Sequence, residues 1–305
     1  MFQRVPRALR RLTVAAALCG VLGTVLSGCT GSGDSGGSGG SRASAGSGSS
    51  GGSGSSGGGE SEAAPREVRA PEPGLAFDYQ IGGPYRPPSG VRAVSRDRTS
   101  KPAKGVYNIC YVNAFQAQPD TDDWWQEHHP DLVLRDADGD PVVDRDWDEL
   151  VLDISTRAKR ERLARIVGEW IDGCAKDGFQ AVEADNLDSH ERSEGLLTEA
   201  DNIAFGKLIT ARAHAAGLAI GQKNAAELAD RGRRIGFDFA VAEECGQYDE
   251  CDVYADAYDD RVFDIEYRTD GFDAACEGWG DRVSVVLRDL DVVARGESGY
   301  RRRTC

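Results

Sequence analysis

Three features of the sequence predict an α/β fold. Short apolar runs alternate with helical stretches along the chain. Most of these runs are apolar on both faces, as a covered parallel sheet requires, and residues 66–305 have the length of a single α/β barrel. We therefore predict a single-domain (β/α)8 barrel of the TIM type over residues 66–305. An open, doubly wound sheet is the alternative, but no glycine-rich phosphate loop follows a predicted strand.

The first 28 residues have the pattern of an export signal. Residues 1–11 are basic, and residues 12–26 are apolar and too short to span a bilayer comfortably. Residues 26–29, Leu-Ser-Gly-Cys, resemble a bacterial lipobox, which predicts a lipoprotein signal peptide over residues 1–28 and a lipid on Cys29. We expect the chain on the outer face of the cell membrane, or secreted if the signal is an ordinary cleaved one. The export route, Sec or Tat, stays open.

Residues 29–65 are dominated by Gly and Ser. Such a segment has too little apolar surface to offset the entropy of ordering and behaves as a flexible coil. We predict a linker that holds the domain clear of the membrane, so that the lipid is the only membrane contact.

The net charge of the chain limits the classes of partner that it can bind. The formal net charge is −15, although the first 28 residues contribute four Arg and no acid. Nucleic acid and anionic lipid surfaces are therefore excluded as partners, and a cationic or neutral ligand is favoured. We expect a monomer that needs no cofactor.

The predicted domain contains six cysteines, an even number that suggests three disulfides in an exported protein. We expect the pairs Cys245–Cys251 and Cys276–Cys305, although six cysteines allow fifteen connectivities. No metal site is expected, because the four His lie far in sequence from the cysteines.

The strands are predicted from the apolar runs at residues 75–81, 91–95, 105–112, 150–154, 179–184, 218–222, 237–242, 262–265 and 283–287. The clearest helices are predicted over residues 158–176 and 198–216. Gly178 and Gly217 follow them, and Gly is the residue that most often terminates a helix.

Polar side chains follow several of these runs, where parallel strands end. Asp153, Lys223-Asn224, Glu266 and the segment 183–188 (Glu-Ala-Asp-Asn-Leu-Asp) occupy such positions, as does the pair Glu243-Glu244. Each alone is typical of a helix cap or turn. Because strand exits gather on one rim of a barrel, where active sites form, their coincidence predicts an active site.

Two of these acids fit the requirements of glycosidic-bond hydrolysis, which needs one carboxyl to protonate the leaving oxygen and another to attack carbon or activate water. Asp185 and Glu243 lie on strands separated by one other strand, and alternate strands place side chains in the same layer. Strand alternation allows only one of Glu243 and Glu244 to face the cleft.

At these residues the chain resembles the endo-α-1,4-polygalactosaminidases, glycoside hydrolase family 114. The resemblance extends over residues 77–267. It depends on the order and spacing of short motifs: Tyr79-Gln80, Ile109-Cys110-Tyr111, Leu152-Asp153-Ile154, the segment 178–188, Gly221-Gln222-Lys223-Asn224, the segment 237–245 with Tyr248 and Cys251, and Ile265-Glu266-Tyr267.

The resemblance implies a TIM-type barrel that hydrolyses α-1,4-linked galactosamine polymers, with Asp185 and Glu243 as the acidic pair. Lys223 has two compatible roles, neutralising the acids and keeping the nucleophile ionised. Exposed aromatic residues, with Trp124-Trp125 the best candidates, can stack on sugars. Residues assigned to substrate binding from the strand exits, the aromatics and the resemblance are Tyr79, Gln80, Tyr111, Asp153, Asn186, Asp188, Lys223, Asn224, Tyr248 and Glu266.

We expect an endo-acting, retaining hydrolase in which Asp185 is the nucleophile and Glu243, less compensated by Lys223, is the acid/base. Two alternatives are a non-catalytic glycan-binding lipoprotein on the same barrel and a barrel hydrolase of another glycan. The presence of both acids and of Lys223-Asn224 favours the enzyme over the binding protein.

Overall fold

In the computed structural model, which describes residues 67–305, most predicted strands join one sheet. The strands in chain order are β1 (Phe77–Tyr79), β2 (Ala93–Asp97), β3 (Tyr107–Asn113), β4 (Val143–Asp144), β5 (Glu149–Leu150), β6 (Ala181–Asp185), β7 (Ala219–Lys223), β8 (Phe239–Glu243), β9 (Val262–Glu266), β10 (Ser284–Arg288) and β11 (Arg302–Thr304). Strands β4 and β5 form a separate antiparallel pair, and the sheet order is β1-β2-β3-β6-β7-β8-β9-β10-β11. All neighbours in the sheet are parallel except β10 and β11.

The helices in chain order are α1 (Asp122–His128), α2 (Arg157–Asp177), α3 (Glu199–Ala215), α4 (Ala229–Ile235), α5 (Cys245–Tyr248), α6 (Cys251–Tyr258) and α7 (Thr269–Trp279). The two clearest predicted helices correspond to α2 and α3. The hydroxyl oxygens of Thr156 and Thr198 accept a backbone hydrogen bond in the first turn of these helices, and Gly178 ends α2 with a φ of 98°.

The helix pattern departs from the predicted alternation. Helices follow β3, β6, β7, β8 and β9, but the described chain has no helix between β1 and β2 or between β2 and β3. Residues 82–90, which join β1 to β2, include three Gly and three Pro, the residues least compatible with a helix. The structure is therefore a mainly parallel α/β sheet whose first two connections are loops.

The sheet curls, and its concave face is packed with side chains. Phe77 of β1 and Phe263 of β9 have ring centroids 4.6 Å apart, although five strands lie between β1 and β9 in the sheet. Phe77, Phe263, Ile109 and Phe239 belong to one buried cluster on this face. The curvature brings the carboxyl ends of the strands around a common centre, as in TIM-like folds.

The strand expected over residues 150–154 is not part of the sheet. Leu150 ends the short hairpin of β4 and β5, and beyond it Val151 and Leu152 form isolated bridges to Gln116 and Val133. Val151 and Leu152 are nevertheless fully buried, because the loops before α2 pack over them. An apolar run buried in this way resembles a sheet strand in sequence, which explains the wrong prediction.

Three disulfides connect the described elements. Both predicted pairs are confirmed: Cys245–Cys251 joins α5 to α6, and Cys276–Cys305 joins α7 to the residue after β11. The third, Cys110–Cys174, joins β3 to α2 and closes a sequence separation of 64 residues. Of the three, only Cys110–Cys174 therefore ties a helix directly to a strand of the sheet.

The predicted signal peptide, the lipid site at Cys29 and the linker over residues 29–65 lie outside the described residues. Within residues 67–305, no helix combines the length and apolar character needed to cross a bilayer.

Candidate active site

The site forms where β6, β7 and β8 end. The last residues of these strands are Asp185, Lys223 and Glu243. Each is followed by a non-glycine residue in the left-handed conformation: Asn186 (φ 67°), Asn224 (φ 47°) and Glu244 (φ 63°). This conformation is uncommon for non-glycine residues and is enriched at functional sites. It turns the chain away directly after the strand, so that the final side chains remain on the concave face.

The ammonium group of Lys223 is the centre of the site. Its Nζ lies 3.1 Å from Asp185 Oδ1, 3.3 Å from Glu243 Oε2 and 3.3 Å from Glu183 Oε1, and the side chain is only 3% exposed. Burial alone would lower the pKa of Lys223, but attraction to the three carboxyl groups outweighs it and raises the pKa well above the ordinary value. One buried positive charge thus holds three acids together.

Asp185 is held as an ionised carboxylate. Its Oδ2 accepts a hydrogen bond from the Tyr111 hydroxyl at 2.5 Å, and its Oδ1 accepts one from the backbone N–H of Asn186 at 2.9 Å. Burial opposes ionisation, but the attraction of Lys223 and the bond from Tyr111 prevail and keep the pKa of Asp185 below its ordinary value.

Glu243 is fixed from two sides. Asn224 Nδ2 donates to its Oε2 at 3.0 Å, and the Tyr267 hydroxyl donates to its Oε1. The side chains of Glu243 and Asp185 are 19% and 16% exposed, so both can be reached from outside. Lys223 contacts both acids at similar distances, which differs from the expectation that it compensates mainly Asp185.

Glu183 is a site residue that the predicted set lacked. It lies two residues before Asp185 on the same face of β6 and is fully buried. The Tyr79 hydroxyl and Ser95 Oγ donate to it at 2.8 and 2.5 Å, and burial raises its pKa although Lys223 opposes the shift. Its role is to position Lys223 from below, and strand alternation in the sequence could have identified it.

Two further partners were also absent from the predicted set. Tyr267, the residue after β9, donates its hydroxyl to Glu243. Glu149 of β5 accepts hydrogen bonds at its Oε2 from Asn113 Nδ2 at 2.9 Å and from Asn186 Nδ2 at 3.1 Å. Tyr267 could have been found from its place after Glu266, whereas no local signal marks Glu149, which a hairpin outside the sheet brings to the site.

Of the residues predicted to bind substrate, four are in direct contact with Asp185, Glu243 or Glu149: Tyr111, Asn186, Lys223 and Asn224. Tyr79 is fully buried beneath the site, so it contacts Glu183 and Lys223 and presents no face for a sugar.

The other five predicted substrate-binding residues lie apart from the carboxylates. Gln80 is buried and forms hydrogen bonds with Asp78 and Arg96. Asp153 accepts hydrogen bonds from Ser155 and Lys159, close to the start of α2. Asp188 forms an ion pair with Arg192. Glu266 points to the outer side of the sheet, where its Oε1 accepts from the backbone N–H of Gly246 at 2.7 Å, and Tyr248 is 65% exposed. Strand alternation explains the placement of Glu266, and the loss of the strand over residues 150–154 explains that of Asp153.

The two tryptophans predicted to stack on sugars differ in exposure. Trp124 is 38% exposed and remains a candidate for sugar stacking, whereas Trp125 is 1% exposed and packs in the core.

Potential metal ligands come together at two places in the described chain, and neither includes Asp185 or Glu243. One group is Cys245, Cys251 and Asp264, but both sulfurs are joined in a disulfide. The other is His190, Glu191 and Glu227, near the rim.

Two partly exposed carboxylates facing one cleft at the carboxyl ends of parallel strands are the apparatus of carboxylate-dependent glycoside hydrolases. The model of glycoside hydrolase family GH114 matches residues 58–305. The chain therefore belongs to this family and is a glycoside hydrolase, as the sequence resemblance predicted.

Solved structures share the fold. The crystal structure of Ega3 from Aspergillus fumigatus in complex with galactosamine has 23% identity and a TM-score of 0.63, covering 78% of this chain and 98% of that chain. The glycoside hydrolase domain of a PelA variant from Pseudomonas aeruginosa has 15% identity and a TM-score of 0.50, covering 73% and 97%. Comparison with curated protein sequences found no match.

Proposed function

We propose that this protein is an endo-acting glycoside hydrolase that cleaves α-1,4-linked galactosamine-containing polysaccharide. The observation that carries the proposal is the pair Asp185 and Glu243, held by the buried ammonium of Lys223 at 3.1 and 3.3 Å on the open end of the sheet. Family membership supports the reaction class. We also infer that the curled sheet closes as a TIM-type barrel.

The substrate class is supported by charge and by a structural neighbour. A polymer with free amino groups is cationic, and the chain has a formal net charge of −15. Ega3, which shares the fold, was crystallised with galactosamine.

The contact that Asp185 and Glu243 share with Lys223 supports retention of configuration. One oxygen of each acid contacts Lys223 Nζ, so these two oxygens are no farther apart than the sum of the two contact distances. That sum is below about 6.5 Å, the lower end of the range for inverting enzymes, whereas retaining pairs lie about 5 to 5.5 Å apart.

In the first step, Asp185 attacks the anomeric carbon while the proton of Glu243 passes to the glycosidic oxygen, which leaves with the second sugar. A covalent glycosyl–Asp185 ester results. In the second step, Glu243 takes a proton from water, which attacks the same carbon and releases Asp185. Lys223 and Tyr111 stabilise Asp185 as the nucleophile and as the leaving group.

We further propose export and lipid attachment at Cys29, which the lipobox-like run and the following spacer support. Replacing Cys29 by Ser should release the protein into the medium. If the variant stays with the membrane as firmly as the parent, this anchor is excluded.

The experiment that tests the reaction is incubation of the purified protein with a panel of α- and β-linked amino sugar polymers, followed by mass spectrometry. We expect oligosaccharides from the α-1,4-linked galactosamine polymer and loss of that activity in Asp185→Asn. A matched surface variant, Asp259→Asn, should retain it, since Asp259 pairs only with exposed arginines. Binding of the polymer without cleavage by the parent protein would favour the non-catalytic alternative.

A further inference from the structure

The site contains one more carboxyl group that the proposed mechanism does not use. Glu149 is only 9% exposed, and its Oε2 accepts from the side-chain amides of Asn113 and Asn186. Its Oε1 has no hydrogen-bond donor within residues 67–305, yet it is not among the fully enclosed unpartnered atoms. This oxygen is therefore accessible from the site, although the residue as a whole is buried.

The position of Glu149 relative to Asp185 is defined by Asn186. The backbone N–H of Asn186 donates to Asp185 Oδ1 at 2.9 Å, and its side chain donates to Glu149 at 3.1 Å. Asn113, the other partner of Glu149, lies opposite Asp185 in the register of β3 and β6. Glu149 thus lies beside Asp185 on the β3 side, whereas Glu243 lies on the β8 side. The substituent on C2 of a sugar is adjacent to the carbon that Asp185 attacks.

Within residues 67–305, no Lys, Arg or His forms an ion pair with Glu149. The titratable groups that act on it include Asp185 from β6, Asp144 from β4 and Tyr111 from β3. Arg192 forms ion pairs with Asp144 and Asp188. Lys223 forms ion pairs with Glu183, Asp185 and Glu243. Burial, followed by repulsion from Asp185, raises the pKa of Glu149 to about 8, so the carboxyl keeps its proton at neutral pH.

We propose that Glu149 is the specificity residue for the amine: its free oxygen binds the 2-ammonium group of the galactosamine unit whose anomeric carbon Asp185 attacks. This inference rests on the function proposed above. The incoming ammonium supplies the cation that the protein does not provide, and Glu149 releases its proton as it binds. A 2-hydroxyl or an N-acetyl group carries no charge and gains no such ion pair.

The test is calorimetric binding of galactosamine and galactose to the whole protein and to Glu149→Gln. We expect the parent to prefer galactosamine by about 10- to 100-fold, the range for one hydrogen bond to a charged group. In Glu149→Gln the preference should vanish while galactose affinity stays within about twofold, which would show that the site remains folded. Glu161→Gln on the exposed pair with Arg157 should behave as the parent.

A second measurement separates recognition of the amine from a structural role. At pH 6, where the sugar amine is protonated, binding of galactosamine to the parent should release protons, measured in buffers of different ionisation enthalpy. Glu149→Gln should release none. Undiminished preference or proton release in Glu149→Gln would overturn the inference, even if the parent cleaves the polymer. Failure of the parent to cleave any galactosamine polymer would instead refute the proposed function.

Discussion

Asn224 holds Glu243 at both its backbone and its side chain. Its Oδ1 accepts the Glu243 backbone N–H at 2.8 Å, and its Nδ2 donates to Glu243 Oε2 at 3.0 Å. Asn224 itself has a φ of 47°, a conformation that Asn tolerates better than most residues. A strained turn at the end of β7 therefore fixes the orientation of the carboxyl at the end of β8.

Replacing Asn224 by Gly should remove this clamp and keep the left-handed turn, which Gly adopts at no steric cost. We expect kcat to fall by about 10²-fold, because small misplacements of a catalytic group have effects of that size. Steady-state kinetics measure the fall in kcat, and thermal unfolding shows whether the variant remains as stable as the parent. A kcat within twofold of the parent would show that Tyr267 and Lys223 orient Glu243 without Asn224.

Glu243→Gln should lower kcat by about 10²- to 10⁴-fold, the typical contribution of a general acid. Glu244→Gln is the matched control, since Glu244 lies beyond the strand with a φ of 63° and should remain active. The rates of the two variants on the galactosamine polymer show which of the two carboxyl groups is the general acid. An inactive Glu244 variant beside an active Glu243 variant would reverse the assignment.

The stereochemistry of the first product tests the proposed double displacement. Two displacements at the anomeric carbon retain the α configuration, so proton NMR should detect the α-anomer before mutarotation. Initial release of the β-anomer would recast Asp185 as a base that activates water.

Lys223→Met should destabilise the protein by about 3 to 5 kcal/mol, because it leaves buried carboxyl groups without their cation. Lys223 keeps the pKa of Asp185 low, so its removal raises that pKa and moves the acid limb of the kcat/KM profile to higher pH. Urea denaturation and a pH–rate profile measure these effects. Lys207→Met, at an exposed position of α3, is the control. An unshifted acid limb would contradict the role of Lys223.

Asp264 and Glu266 should make stability depend on pH. Both are buried on the outer side of β9, where Asp264 Oδ2 and Glu266 Oε2 accept no hydrogen bond from residues 67–305. Burial raises both pKa values, that of Glu266 to about 7, and the charge of Glu266 adds to the rise at Asp264. Because the folded state binds more protons than the unfolded state, stability should fall as pH rises from about 4 through 7.

In Asp264→Asn, the amide can donate to Glu266 at every pH, so part of that fall should disappear. Urea denaturation between pH 5 and 8 compares the variant with the parent. Identical slopes of unfolding free energy against pH would exclude a proton shared by this pair.

Periodicity and strand order made much of the fold predictable. Eight of the nine predicted runs became sheet strands, and Asp185 and Glu243 were placed on alternate strands because Lys223 ends the strand between them. Alternation indicated that only one of Glu243 and Glu244 faces the cleft, and the family resemblance selected Glu243, which is the last residue of β8. The strand predicted over residues 150–154 was wrong, because a segment buried by loops had the composition of a strand.

The sequence by itself determined the class of the protein: the sheet, two disulfide pairs and the residues at the ends of β6, β7 and β8 depend on local pattern and order. Only the tertiary structure decided which polar groups meet. Glu149 is the example, because a hairpin outside the sheet brings it to Asn186. Hydrogen bonds act over about 3 Å. Contacts of that length between residues far apart in the chain depend on how the elements pack, which no local pattern specifies.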